Sequence, residues 1–306
     1  MRVVSLLPSA TEMVHFAGAG EWLVGVTHEC DHPPGVDKLP KLTRSRIDPN
    51  LSGAEIDAEV NRLVTDDESI YALDADLLES LAPDLVITQG LCDVCAVSTN
   101  LVEEAVRGLR SRPELLVLNP TSLEDVLDDS VRIGDALGLG GGARRKVAAL
   151  RERLGKTGEA VAGLARPSVG CIEWLDPPFS AGHWVPEMVR RAGGRELFAG
   201  PGERSVRLEW EAVFEADPEV LVLMPCGFGA ARAAEEAGAL PGLPGWSDLR
   251  AVRDGRVWVV DANSFFSRPA PRLVEGVEIL ARILHPGAFP DEPGRSEAAP
   301  LSYAAG

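Results

Sequence analysis

Four of the five cysteines stand just past segments that read as buried strands, and thiols in such places can ligate a metal or act as nucleophiles. Cys30 follows the apolar run Leu23–Val26, within Thr27-His28-Glu29-Cys30-Asp31-His32. Cys92 and Cys95 form a Cys-x-x-Cys pair after Leu85–Thr88, and Cys226 follows Val220–Met224. Cys171, inside the run Val169–Trp174, reads instead as a small buried hydrophobe. A four-ligand zinc site ordinarily shows a second close pair, and none exists here. Cys30, Cys92, Cys95 and Cys226 therefore make a metal set only if the fold gathers them. Gathered, they would hold zinc, iron or an iron–sulfur cluster, or approach the metal of a bound chelate. A redox dithiol is the other chemistry open, because a helix starting after Cys95 would depress its pKa.

Further side chains cluster at the same strand ends. His28, Glu29 and Gln89 are polar candidates in the first half. In the second half Trp184 and Phe266 offer apolar faces, and Arg268 is a partner for a carboxylate or phosphate. No Gly-rich phosphate loop, Ser nucleophile elbow or His-Glu-x-x-His stretch is present, which argues against an enzyme of those classes.

These residues need a scaffold that brings strand ends to one edge. Strand and helix signals alternate along the chain, the pattern of parallel α/β units, in which ligands bind beyond the carboxyl ends of the strands. Val3–Leu7, Leu23–Val26, Leu85–Thr88 and Leu115–Leu118 read as strands of a first half, and Val169–Trp174, Val220–Met224 and Val257–Val260 as strands of a second. Ser9-Ala10-Thr11-Glu12 has capping-box spacing and predicts a helix to about Ala17, stopped by Gly18 and Gly20. The proline-free stretch Ala143–Leu164 predicts one long helix between the halves. The halves echo each other: Asp76–Ile87 and Glu211–Val222 both run from an acidic residue through a short helix and a Pro-acidic turn into an apolar strand. The expected fold is two parallel-sheet α/β lobes joined by a single long helix, with a ligand cleft between them. Residues 1–140 form the first lobe, 141–165 the helix, 166–285 the second lobe with a return helix over Arg272–Leu284, and 286–306 a flexible tail.

Composition narrows the partners. The 306 residues carry a formal charge of −17 and a pI near 4.8, which argues against nucleic acid and anionic membranes. No apolar run approaches the length of a membrane span. Met1–Pro8 leads straight into a strand, with no basic n-region, apolar core and cleavage site. That predicts a cytoplasmic protein, or an extracytoplasmic one if the true start lies upstream.

The chain also resembles a known family, the substrate-binding proteins of ABC importers for cobalamin, haem and iron-siderophores, and most closely the vitamin B12-binding branch. Carrying the likeness are Val3–Glu12, Leu23–Val26 with Asp31-His32-Pro33-Pro34, Leu81–Val86, Asp176–Gly182 and Ser267–Leu273. The resemblance implies two lobes joined by a long helix and a corrinoid, a cobalamin-like metal chelate, held between them. It implies that Phe179 packs against the corrin, and that Asp76 and Glu211 are the acidic knobs, one per lobe, that dock onto arginines of a transporter permease. Where vitamin-binding members tend to place aromatics, around Glu29 and Gln89, this chain has polar residues flanking Cys30 and Cys92. Two other classes stay open from the residues themselves: a metalloprotein with cysteine-ligated zinc or an iron–sulfur cluster, and a thiol-dependent enzyme.

Overall fold

The computed structural model describes residues 1–65, 69–90 and 98–301. The chain divides into two compact units, 1–120 with 124–149 and 121–123 with 150–306. The first contains β1 (Val3–Ser5), α1 (Pro8–Ala17), β2 (Leu23–Val26), β3 (Thr43–Ser45), α2 (Gly53–Thr65), β4 (Tyr71–Leu73), α3 (Ala75–Leu81), β5 (Leu85–Gln89), α4 (Thr99–Gly108), β6 (Glu114–Leu118), α5 (Leu123–Ala136) and the start of α6 (Gly140–Val161). Its sheet has the order β2-β1-β5-β6, every pairing parallel. The strands are apolar along nearly their whole length because helices cover both faces. Val4, Leu6, Leu78, Val86, Val102 and Val106 belong to one cluster of its core.

Two local departures from the sequence reading have physical causes. The first helix starts at Pro8 with Leu7 as N-cap and no side-chain cap bond, so the capping box at Ser9–Glu12 does not form. Proline at the first helical position needs no N–H partner and is already set at helical φ, and Ser9 is buried one residue inside. The second departure is the antiparallel pair β3–β4, whose three-residue strands carry no readable alternation. The pair hangs from the end of β2: Val26 donates to the Pro40 carbonyl, and Leu42 donates to that of Val26. It brings Thr43 and Tyr71 to the carboxyl edge of the first sheet.

The second unit holds β7 (Ser168–Leu175), β8 (Pro178–Ser180), α7 (Val185–Arg191), β9 (Arg195–Glu196), α8 (Trp210–Ala216), β10 (Val220–Leu223), α9 (Ala230–Ala237), α10 (Arg250–Arg253), β11 (Val257–Val260), α11 (Ala262–Phe265), α12 (Leu273–Leu284) and β12 (Ala298–Pro300). Its central strands β11, β10 and β7 are parallel, β9 joins the start of β7 in parallel, and β8 and β12 close the two edges antiparallel. The tail expected to be flexible thus contributes an edge strand, with Ala298 paired to Val260.

The long helix between the halves runs Gly140–Val161, 22 residues, about 33 Å at 1.5 Å per residue. In the first unit Lys146 donates to the Phe16 carbonyl at the end of α1 and lies 5.5 Å over the Phe16 ring. In the second, Arg153 forks onto Glu278 of α12 at 3.0 and 2.8 Å. The echo between halves is visible in backbone geometry. Helices α3 and α8 each have seven residues and end in a non-glycine residue in the left-handed region, Ala82 at φ 42° and Asp217 at φ 41°. A proline follows each, and then a strand of the sheet.

Candidate functional site

At the carboxyl edge of the first sheet the chain leaves β2 and makes a hydroxyl-rich turn. The Thr27 and Thr43 hydroxyls lie 2.7 Å apart, and Thr43 Oγ1 lies 2.7 Å from His28 Nδ1. The His28 ring tilts against that of Tyr71, centroids 5.6 Å apart, and the Tyr71 hydroxyl donates to Glu29 Oε1 at 3.2 Å. Burial first, and then the Lys41 ammonium, hold the His28 imidazole below its ordinary pKa, so the ring is neutral near neutral pH. Sequence reasoning found His28 and Glu29 but missed Thr27, Thr43 and Tyr71. Thr43 and Tyr71 reach the edge only through the β3–β4 pairing.

Cys30 and Gln89 are placed differently from expectation. Cys30 is 3% exposed, its sulfur 3.1 Å from Thr11 Oγ1, so it packs inside the first unit. Gln89 is 7% exposed and ends β5, where its carbonyl accepts from Thr99 Oγ1. Cys92 and Cys95 lie outside the described residues. Among the described residues no group of three or more His, Cys, Asp and Glu side chains is placed to hold a metal ion. Cys226 is exposed at the end of β10, and Cys171 is wholly buried, its thiol held well above its ordinary pKa by burial and then by the charge of Glu196.

In the second unit the carboxyl edge is aromatic. Trp174 and Phe179 are directly paired across β7 and β8, so their side chains share one face of the sheet. The Phe228 ring, just after β10, lies 5.6 Å from that of Trp174, and the Arg232 guanidinium stacks 3.7 Å over Phe228. Of these four, sequence reasoning named only Phe179. The available signal for Trp174 was the Asp176-Pro177 turn between two aromatics, which sets them opposite each other in adjacent strands. Trp184 and Phe266 were expected to show apolar faces to a ligand, and the structure corrects this. They are 6% and 1% exposed, and the Trp184 indole N–H donates to the Phe266 carbonyl at 2.7 Å, locking α7 to the segment after α11. Arg268 is half-buried two residues farther on.

Asp76 and Glu211 are both exposed, each in the first turn of its short helix, α3 and α8. A separate cavity of about 470 Å³ opens at the amino ends of the second unit's strands, lined by Arg166, Glu219, Arg256 and His285. Its polar groups serve the fold. Arg256 caps the Ile283 and Leu284 carbonyls, Arg166 donates to the Gly194 carbonyl, and Glu219 accepts from Ser168. The candidate groups are therefore those at the carboxyl edge of each unit and not these.

Comparison with known proteins gives a consistent picture. The profile of the family described as Periplasmic binding protein matches residues 3–264. The ABC transporter substrate-binding lipoprotein YvrC of Bacillus subtilis is 25% identical over 296 residues, covering 94% of this chain and 81% of that protein. A vitamin B12-binding protein of Vibrio cholerae is 24% identical over 289 residues, covering 92% and 88%. The crystal structure of a periplasmic haem-binding protein from Pseudomonas aeruginosa superposes with a TM-score of 0.74 at 23% identity, covering 100% and 99%. These matches overturn the cytoplasmic location expected from Met1–Pro8, because the family and its relatives are periplasmic or lipoprotein components. How the first strand opens carries no information on compartment. The family is one of binding proteins and not of enzymes, and among the described residues nothing supports the thiol-enzyme, zinc or iron–sulfur readings.

Proposed function

This chain belongs to the periplasmic binding protein family, and we propose that it binds a corrinoid, delivering it to an ABC importer. The observation that carries the ligand class is the aromatic edge of the second unit, where the half-buried Trp174 and Phe179 are paired and the buried Phe228 packs against Trp174. A macrocyclic metal chelate offers a broad apolar face with polar edges, and its site needs a few aromatic anchors and sparse polar groups. The carboxyl edge of the first unit carries polar groups suited to such a rim, His28 and Glu29, and Arg268 is one in the second unit. The relatives that are named vitamin B12-binding proteins support a corrinoid. Haem is the competing cargo, favoured by the haem-binding structural neighbour and by Arg232 and Arg268, which suit carboxylate edges. Helices α3 and α8, with Asp76 and Glu211, are the surfaces offered to the permease. No helix among the described residues is long and apolar enough to cross a membrane.

Calorimetry and visible spectra with cobalamin, cobinamide and haem at micromolar protein test the reading. Cobinamide or cobalamin should bind, and Phe179→Ala should weaken binding about tenfold, roughly 1.4 kcal/mol. Tight haem binding without corrinoid binding rejects the corrinoid, and no binding of any of the three rejects the ligand class.

A further inference from the structure

His28 is held by a chain of hydroxyls whose protons can be assigned. The Glu29 N–H donates to Thr27 Oγ1 at 3.5 Å, and the His28 N–H donates to Thr43 Oγ1 at 3.1 Å. The two hydroxyls are 2.7 Å apart, and Thr43 Oγ1 is 2.7 Å from Nδ1. Each hydroxyl has one proton to give. If Thr27 donates to Thr43 and Thr43 donates to Nδ1, every proton has an acceptor and the ring proton sits on Nε2. In the reverse order Nδ1–H donates to Thr43 and Thr43 to Thr27. The Thr27 proton then has no acceptor among the described residues, although Thr27 is only 4% exposed. A buried hydroxyl proton left unpaired is costly, so the first order holds. Among the described residues Nε2 has no hydrogen-bond partner, and His28 is only half-buried. The result is one N–H with a fixed direction, unused among the described residues.

We propose that His28 recognises the ligand as a fixed hydrogen-bond donor, its Nε2–H set by the Thr27–Thr43 hydroxyl pair and directed at a neutral carboxamide carbonyl on the ligand's edge. This deepens the proposed binding function and rests on it. A protonated Nε2 has no lone pair for a metal, so His28 reads the rim of the chelate and not its centre. The charged neighbours select against an anionic rim. The Glu29 carboxylate, joined to the same array through Tyr71, repels a ligand carboxylate. Lys41, the nearby cation, is occupied with the Cys30 and Val36 carbonyls. The lowered imidazole pKa keeps the ring neutral, so Nδ1 continues to accept from Thr43. A corrin rim, built of carboxamides, fits this array better than a porphyrin rim built of carboxylates.

Two measurements on the full chain test the proposal. Long-range proton–nitrogen correlation spectra of ¹⁵N-labelled protein near pH 7.5, with His28 assigned by His28→Gln, should show a neutral Nε2–H ring, and Thr43→Val should release the fixed tautomer. Dicyanocobinamide, whose axial positions are blocked by cyanide, should then bind His28→Leu about tenfold more weakly than wild type. His28→Gln, which keeps a donor, should lose no more than about threefold. A protonated Nδ1, equal losses in the two variants, or loss of tight binding in wild type when cyanide fills the axial positions would overturn the donor role. Absence of any corrinoid or haem binding would reject the underlying function, and the tautomer spectrum would still decide the hydroxyl assignment by itself.

Discussion

Glu196 lies in β9 with one carboxyl oxygen accepting from the backbone N–H groups of Cys171 and Phe198, and the other buried with no partner. Burial outweighs the hydrogen bond from the Cys171 thiol and those from the backbone, and raises its pKa from 4.5 to about 7. A carboxyl whose folded pKa is raised binds more protons folded than unfolded, so stability is greatest below pH 4.5 and falls as pH rises to about 7. The histidines act in the opposite sense: the half-buried His15, His28 and His183 and the buried His285 all have pKa values lowered first by burial, and they cost stability as pH falls. Comparing wild type with Glu196→Gln cancels the histidine contribution. Thermal unfolding at pH 5 and pH 8 should show wild type losing more stability than the variant over that interval, by about 1–3 kcal/mol. Equal slopes would mean that the carboxyl is solvated. At this scale the sequence was partly legible. Phe179 and the pair His28 and Glu29 stand in local motifs, and Cys171 was readable as a core thiol. Trp174 gains its role from register across β7 and β8, and Thr43 from the β3–β4 pair, and neither pairing leaves a local signal.

Elements were legible where their period was long. Leu23–Val26 and Val257–Val260 are strands at the positions their apolar runs indicate, and the long helix came within three residues at each end. The strands missed, β3, β4, β8, β9 and β12, are two or three residues long and exist because a neighbour offers hydrogen bonds. Their identity is tertiary, and so was that of Trp184, which looked like a ligand face and is a tie between α7 and the loop after α11. The long helix is held in the second unit by the two-pronged bond from Arg153 to Glu278, with Glu275 at 3.8 Å as a weaker partner. Arg153 is 39% exposed and Glu278 23%, so solvent screens the pair, and its worth is nearer that of a good surface bridge than of a buried one. A double-mutant cycle with Arg153→Met and Glu278→Gln should give a coupling energy of about 1 kcal/mol, reduced in 1 M salt. A coupling near zero would show that the helix is held by apolar packing alone.

On the scale of the whole molecule, the internal echo and the charge bear on the transport partner. Asp76 and Glu211 occupy equivalent places, the first turn of a seven-residue helix that ends in a left-handed residue before proline. Each helix is steadied from behind. The Asp74 side chain caps α3 through the Leu77 N–H, and in α8 the Trp210 ring stacks on Phe214 and donates its N–H to the Leu175 carbonyl. An exposed carboxylate on a rigid turn suits recognition by an arginine of a permease, and a net charge of −17 adds long-range attraction to a basic surface. Rim charges of this kind act mainly on association rate and salt dependence, and they leave cargo affinity alone. We therefore expect Asp76→Arg and Glu211→Arg each to weaken coupling to the importer about tenfold, measured as stimulation of its ATPase in liposomes, and the double reversal to abolish it. Affinity for the cargo should not change in any of the three. Asp76 reaches one methylene less far than glutamate, so Asp76→Glu should preserve coupling or strengthen it. Unchanged ATPase stimulation in the double reversal, with cargo binding intact, would place the transporter contact elsewhere on the molecule.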